Sequence, residues 1–478
     1  VFVCAASPRT QKHPLLSFFV QSVCYHSRFL FLWHLNHPVR GWTYYSNRLY
    51  FLKHPRVVLN EEDKMTKKTF PGRGKVAIVR TQPESVLDDY ARLMELADYE
   101  TVLPVAHKTL LKINISWQTW YPACSTMPWQ LEGVTRTLQG AGYDLVGVHN
   151  DTVVVDTSDG ERNNKQRYVT DKYGVPCVYI YKPETRWVKY QPKTPFLVLD
   201  HVYPEGVYIP EVLIGNNIVQ LPTVKTHVFT TITGAMKNAF GGLLGRKRHW
   251  THSVIHETLV DLLSIQQDIH PGLFAVMDGT FAGDGPGPRA MHWHEKNVLL
   301  ASADQVAIDA TSALLQGFDP LTLPFIRIAH ELGLGVGDPA DIEFVGDEDV
   351  CTERWCFQTD DTLASRGQKA IYHGALKPFE ALLLRGPIVP WSYFASNFYH
   401  NVYWYPVVGR KRVEAALQTP WGQLFSQYGA DAGLEGAVLP TVETKTVAQG
   451  AGFLAGGLLA AGSVVALLRK LRQMSRRE

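Results

Sequence analysis

The chain has 478 residues, 45% hydrophobic and 19% charged, a balance that excludes an intrinsically disordered chain and a polytopic membrane protein. With 47 basic against 45 acidic residues its formal charge is +2, so no chain-wide field points to nucleic acid as a partner. Six cysteines (Cys4, Cys24, Cys124, Cys177, Cys351 and Cys356), with no CxxC spacing, exclude a disulfide scaffold and a zinc ribbon, and reduced thiols are the expectation.

The charge is uneven along the chain. Residues 1–64 carry eight Lys/Arg against Glu61, Glu62 and Asp63, and residues 469–478 carry five against Glu478, which leaves the body acidic, at 34 basic against 41 acidic residues. Residues 1–60 hold no Asp or Glu but five His and a dozen aromatics, a composition unlike a globular domain and without the cleavage site of a transit peptide. Residues 1–64 are therefore expected to be an extension without a stable fold, ahead of a natural start at Met65.

From 75 to 347, short apolar β-branched runs alternate with helical patterns. Strands are predicted near 75–81, 109–116, 144–149, 176–181, 195–200, 217–221, 273–278, 297–302 and 342–345. Helices are predicted over 84–97, 128–140, 231–243, 253–266, 304–316 and 321–332. Ser253 would cap the fourth of these, and Ile255, Leu259, Leu262 and Leu263 would share its buried face. Residues 65–370 thus read as an α/β core, a mixed or parallel sheet covered by helices. Ligands of such sheets bind beyond the C-terminal strand ends, so the segments after Leu221 and after Met277 are expected to converge on one pocket.

Residues 371–446 are rich in aromatics. Eight of the fifteen residues from Trp391 to Tyr405 are aromatic, which suits a membrane interface, or equally a subdomain core or dimer contact. Gly450–Leu468 then runs 19 residues without a charge, close to the roughly 20 a helix needs to cross about 30 Å of hydrocarbon. Residues 447–478 accordingly read as a C-terminal membrane helix with a basic tail, the alternative being a buried glycine- and alanine-rich helix of the core. Gly452-Phe-Leu-Ala-Gly456 has the small-xxx-small spacing that would let two spans pair in a homodimer. The basic tail argues for a cytoplasmic C-terminus and an external body, but no export signal is evident on either side of Met65. The body is expected in the cytoplasm, tied to the membrane by one C-terminal pass.

The chemistry-bearing residues cluster in two segments. After Leu221 come Lys225, Thr226, His227, Thr230, Lys237, Asn238, Arg246, His249 and His252, which place cations, hydroxyls and imidazoles beside glycines at the mouth of a helix. That mixture suits a carboxylate or phosphate: Lys225, His227, Lys237 and Asn238 are the candidate catalytic residues, and Thr226, Thr230, Arg246 and His252 the candidate anion contacts. After Met277, Asp278 and Asp284 flank a glycine-rich stretch that could offer oxygen ligands to a divalent metal, with His227 as a third ligand. His292-Trp-His294 could place two imidazoles on one strand face. Neither a Walker motif nor GxGxxG is present, so nucleotide binding is not indicated.

Several of these stretches carry a resemblance. Pro222-Thr-Val-Lys-Thr-His227, Met236-Lys-Asn-Ala-Phe-Gly241, Met277-Asp-Gly279, Gly283-Asp-Gly-Pro-Gly287 and Ala301-Ser-Ala-Asp304-Gln-Val-Ala-Ile-Asp309, in this order, resemble the family known as domain of unknown function 362. Leu111-Lys-Ile-Asn114 is similar to its lysine-proline-asparagine strand, with Ile113 in place of the proline, and Thr126-Met-Pro128 also fits. The likeness covers roughly residues 75–347 and implies a fold more firmly than a reaction. Many members resemble iron–sulfur proteins through a ferredoxin module. This chain departs from that pattern, because Cys351 and Cys356 alone cannot ligate a four-iron cluster, and no such cofactor is expected.

Two functions are compatible with these residues. One is a membrane-anchored enzyme acting on a small anionic substrate, with a divalent metal as the candidate cofactor. In it Lys225 and Lys237 would neutralise the anion, His227 would be base or ligand, and Asp278 and Asp284 would hold the metal. The other is a membrane-tethered binding or assembly protein whose pocket only holds its ligand. In both, the partners are membrane lipid and a small anion, not nucleic acid.

Overall fold

A computed structural model describes residues 69–150, 155–374, 376–380, 383 and 396–430. The expected extension 1–64 and the uncharged stretch 450–468 lie outside the described residues. Among the described residues no helix is long and apolar enough to cross a membrane.

The strands are β1 (Lys75–Arg80), β2 (Thr109–Ile113), β3 (Leu145–His149), β4 (Cys177–Tyr179), β5 (Trp187–Lys189), β6 (Tyr208–Pro210), β7 (Asn217–Leu221), β8 (Thr223–His227), β9 (Thr231–Thr233), β10 (Leu273–Asp284), β11 (His292–Ser302) and β12 (Glu343–Gly346). β5 and β6 pair alone. The other ten form one mixed sheet in the order β12-β1-β11-β10-β7-β2-β3-β4, with β8 beside β10 and β9 beside β8. β10, β7, β2, β3 and β4 run parallel, whereas β11 is antiparallel to both β1 and β10. The expected mixed sheet covered by helices is present.

Alternation along the strands divides the core. Val79, Leu111, Ile113, Val219, Leu221, Phe274, Val276 and Leu299 point to one face, where they meet the helices Val86–Leu96 and Pro128–Gly140. These two helices pack closely, because a Cβ on Gly133 would lie 2.6 Å from the Tyr90 ring. The intervening residues of the same strands face the helices Ile255–Ile269 and Gln305–Gln316. Residues 396–430 lie on the first face: Phe425 stacks on Trp120 at 4.1 Å between centroids, Trp421 approaches Trp129 at 5.2 Å, and Tyr405 meets Trp117 edge-on at 5.4 Å. Trp404 and Tyr405 are therefore core residues, while Phe398 and Tyr403 of the same aromatic stretch remain exposed. Trp391, Tyr393 and Phe394 fall outside the described residues.

Three expectations are corrected. Residues 195–200 form no strand, because the Asp261 carboxylate accepts the backbone N–H groups of Leu197, Val198 and Leu199 that a ladder would use, and a short helix follows at Leu199–Val202. The helix predicted over 231–243 is split into β9 and two single turns, Ala235–Asn238 and Phe240–Leu243. Ser253 is not a cap: residues Arg246–Val254 form a 3₁₀ run, and the following helix starts at Ile255 with Val254 at its N-cap.

The chain does not loop out after Leu221 or Met277. It steps at Pro222 into β8, and β10 continues through Asp278 to Asp284, with a register shift after Gly279, pairing with β8 on one side and β11 on the other. The step follows from chemistry: Pro222 has no N–H to give to a ladder, while its carbonyl accepts from Asp278 N and Gln130 Nε2.

Candidate functional site

A cavity of about 320 Å³ opens where β2 and β3 end, at Asn114 and Asn150. Its wall is completed by His227, the turns Ala235–Leu243, the 3₁₀ run from Arg246, and the segment Pro286–Arg289. Lys112, Lys237, Arg246, Arg248 and Arg289 all line it, with His227, His249, His252 and His400. No Asp or Glu does, among the described residues. A larger depression of about 480 Å³ beside β4 has no such bias, since Glu184 and Glu211 line it together with Lys182 and Arg186.

Lys112 and Arg289 are held by neutral acceptors. Lys112, on the central strand β2, is 2% exposed, and its Nζ donates to Ile113 O at 3.0 Å and Asn150 Oδ1 at 2.8 Å, both neutral acceptors. Burial, then the charge of Arg248, pushes its ammonium down to about 7. Lys237 sits in the turn Ala235–Asn238 and reaches the cavity. Burial, then the neighbouring Lys225 and Arg248, bring it to about 7 as well. Arg289 donates from Nε to Ser116 O at 2.9 Å, and burial lowers its pKa too. Burying charge without a partner is costly, so an anion in this space would relieve several residues at once.

The main chain sets the tautomers of His227 and His252. His227 Nδ1 accepts from the N–H of Phe229 at 3.1 Å and of Thr230 at 3.4 Å, so its proton is assigned to Nε2. His252 Nδ1 donates to His249 O at 3.1 Å, which leaves Nε2 as an acceptor, and its ring stacks on Tyr372. Burial holds His227 well below its ordinary value, and brings His252 to about 4 and His400 to about 3.

Asn238 is a structural link at the cavity floor. Its Nδ2 donates to Lys112 O at 3.0 Å and to Gln220 Oε1 at 2.9 Å, and its Oδ1 accepts from Asn114 Nδ2 at 3.1 Å. It thereby ties the ends of β2 and β7 to the turn that carries Lys237. Gln220 continues the chain of amides to Gln266 at 2.8 Å.

The cavity thus brings together His227, Lys237, Asn238, Arg246 and His252. The remaining residues singled out in the sequence lie elsewhere. Lys225 is fully buried, donating to Thr223 Oγ1 at 2.6 Å and Cys124 O at 3.1 Å; burial lowers it to about 8. Thr226 Oγ1 donates to Gly285 O at 2.8 Å and joins β8 to the end of β10, while Thr230 Oγ1 donates to Ile232 O. Asp278 is on the opposite face of the sheet. Its Oδ2 accepts from Tyr90 Oη at 2.6 Å and Trp129 Nε1 at 3.0 Å, and its Oδ1 from the Thr280 N–H and hydroxyl, so it clamps two helices onto the strand. Asp284 lies six residues further along β10, roughly 20 Å away for an extended chain, where it accepts from Gln358 N and lies 3.7 Å from His294 Nε2. His292 Nε2 meets Arg412 at 2.7 Å.

Sequence reasoning passed over Lys112, Asn150, Arg289 and His400 as site residues. Lys112 had a signal: one lysine within the apolar run Thr109-Leu-Leu-Lys-Ile113 must be buried wherever the strand is central. Asn150, Arg289 and His400 are isolated polar residues that only the fold brings to the same wall. Also missed was a trio of metal-capable donors, His149, Glu161 and Cys177, within 4.8 Å of one another. Glu161 is already engaged there by His149 at 3.0 Å, Arg167 at 2.6 Å and Tyr179 at 2.9 Å.

Residues 109–313, which run from β2 to the helix below Asp304 and contain most of this wall, match the family model described as Domain of unknown function (DUF362). They form a DUF362 domain. A thylakoid-associated protein of Synechocystis sp. is 30% identical over 131 residues, which cover 26% of this chain and 40% of that protein. The chain therefore spans less than half the length of this curated relative. No solved structure matches. Within residues 109–313, β2, the turn around Lys237, the run from Arg246 and Arg289 supply the cationic wall, and Thr362, Tyr372, Ser396 and His400 complete the cavity from outside them.

Proposed function

We propose that the DUF362 domain binds a small, multiply charged anion, a carboxylate or phosphate, in the cavity at the ends of β2 and β3. The observation that supports this is the sign of the lining: five Lys/Arg side chains, four histidines and, among the described residues, no carboxylate. A cavity built for a metal alone would need the reverse. Asp278 and Asp284, the acids that the sequence offers, lie outside it. Within this reading Arg246, Arg248 and Arg289 provide charge at any physiological pH, and the His227 Nε2–H gives a directed hydrogen bond.

The chain is further proposed to be held at a membrane through 450–468. Its 19 uncharged residues followed by Arg469 and Lys470 support this, and the relative from Synechocystis is thylakoid-associated by name. Deleting 447–478 should move the protein from the membrane to the soluble fraction; retention on the membrane would refute the tether.

The anion site is tested by calorimetric titration of the full chain with inorganic phosphate and with oxalate. At least one should bind, more weakly at high chloride and more weakly in Lys237→Met. Binding that is unchanged by both would place the ligand elsewhere.

A further inference from the structure

We infer that Lys237 is a nucleophilic amine, and that the anion admitted to the cavity carries a ketone or aldehyde carbonyl with which it condenses to an imine. This rests on the anion-binding reading above and names a substrate class for it: small oxo acids.

Two of the three lysine amines in this region are already engaged. Lys112 Nζ is held by Ile113 O and Asn150 Oδ1, and Lys225 Nζ by Thr223 Oγ1 and Cys124 O. Lys237 lines the cavity and makes no hydrogen bond or ion pair among the described residues. Docking an anion does not require such a group, because three arginines already supply permanent charge. Burial and the neighbouring cations Lys225 and Arg248 both disfavour its ammonium form, which is the standard means of making a lysine nucleophilic near neutral pH.

A second observation is independent of the lysine. His227 and His252 line the same cavity with opposite tautomers, each fixed by the main chain: His227 presents Nε2–H and His252 the Nε2 lone pair. Imine formation needs one of each. The Lys237 nitrogen attacks the carbonyl carbon, the C=O π pair moves to oxygen, and the His227 Nε2–H holds that oxygen by a hydrogen bond. His252 Nε2 takes a proton from the attacking nitrogen and delivers it to the oxygen, giving a neutral carbinolamine. His252 then passes the remaining N–H proton to the hydroxyl, so that the C–O bond breaks with departure of water while the nitrogen electrons close C=N, and both imidazoles end neutral. One water is released per imine and nothing is oxidised or reduced.

The test traps the imine. The full chain is incubated near neutral pH with 2-oxoglutarate and cyanoborohydride, and the adduct is mapped by peptide mass spectrometry. Glutarate, which has the same carboxylates and no carbonyl, serves as competitor and as a separate calorimetric probe. Lys237 should be modified at least about tenfold faster than surface lysines, because far more of it is neutral, and saturating glutarate should abolish that excess. Lys237→Arg should still bind glutarate and lose the adduct; should that variant not fold, the wild-type map decides alone. If glutarate binds but Lys237 is modified no faster than surface lysines, the imine is wrong and the anion site stands. If neither compound binds, both fall.

Discussion

The Asp309 carboxylate lies so close to Gly234 that a Cβ on that glycine would stand 2.0 Å from its Oδ1. The same carboxylate accepts the N–H groups of Ala235 at 2.6 Å and Met236 at 3.1 Å, the first two residues of the turn that carries Lys237 and Asn238. Gly234 has extended dihedrals that any residue could adopt, so the demand for glycine here is one of space alone. A helix far along the chain thereby fixes the site's lysine.

Gly234→Ala should accordingly push the turn off Asp309. We expect a loss of roughly 2–4 kcal/mol in urea unfolding, the range for overpacking combined with unsatisfied buried N–H groups, and weakened phosphate or oxalate binding in the protein that remains folded. Asp309→Ala removes the acceptor rather than the space and should have the same two effects. An unperturbed anion affinity in both variants would show that Lys237 does not need this anchor.

Asp278 leads to the opposite expectation. Four donors converge on it from Tyr90, Trp129 and Thr280, all on the face away from the cavity. Asp278→Ala should cost about 3–5 kcal/mol of stability, the scale for leaving buried polar partners unsatisfied, while folded protein keeps its anion affinity. Unfolding curves and titration at low temperature separate the two effects. A variant of normal stability that no longer binds would return Asp278 to the site.

These two aspartates also show what the sequence could and could not reveal. The apolar runs at 75, 109, 145, 217 and 273 each pair in the sheet, because β-branched residues alternating between two covered faces leave little choice. The glycines between Asp278 and Asp284 read as a ligand-binding stretch beyond the strand and instead lie inside β10. A Cβ on Gly279 would meet Val298 O at 2.7 Å and one on Gly283 would meet Met291 Sδ at 2.5 Å, so they mark close packing against β11 and the residue before it, with a register shift after Gly279, rather than a chain reversal. Composition alone cannot separate those two uses of glycine. The cationic wall was half legible for a related reason. Lys237, His227, Arg246 and His252 fall within one short stretch, but Lys112 and Arg289 reach it only through β2 and the hairpin of β10 and β11.

The buried lysines predict how binding depends on pH. Lys112 and Lys237 lie near 7 in the folded protein, so at pH 8 both are mostly neutral. An anion favours their charged forms, and binding at pH 8 should therefore take up protons, about one per site in order of magnitude. Calorimetry in two buffers of different ionisation enthalpy reads this directly. The free protein should show the companion effect. Between about pH 7 and 10 the unfolded chain, with ordinary lysines, binds more protons than the folded one, so stability contributed by these groups rises as pH increases through that window. Proton release on binding, or a fall in melting temperature from these groups between pH 7 and 9, would contradict the assignment.

The last prediction concerns the C-terminal aromatics. Phe425 stacks on Trp120, and its carbonyl accepts from the buried Lys165 Nζ at 2.8 Å while its ring lies 4.6 Å from the same ammonium. Trp421 Nε1 donates to Asn297 Oδ1 at 2.7 Å, in the middle of β11 where the register against β10 shifts and Asn297 is held in the left-handed conformation. Segment 396–430 therefore covers Trp117, Trp120 and Trp129, all fully buried, and is required for the core wherever the chain resides. Phe425→Ala should cost roughly 3–5 kcal/mol, the usual range for a buried phenylalanine, and red-shift tryptophan fluorescence as water reaches Trp120. Truncation after residue 430 should leave the described fold and its melting temperature intact, whereas truncation after residue 395 should expose the tryptophans and aggregate. Were the shorter truncated chain to stay folded with unshifted emission, the aromatic segment would be an appendage, and its rings would be free to meet a membrane instead.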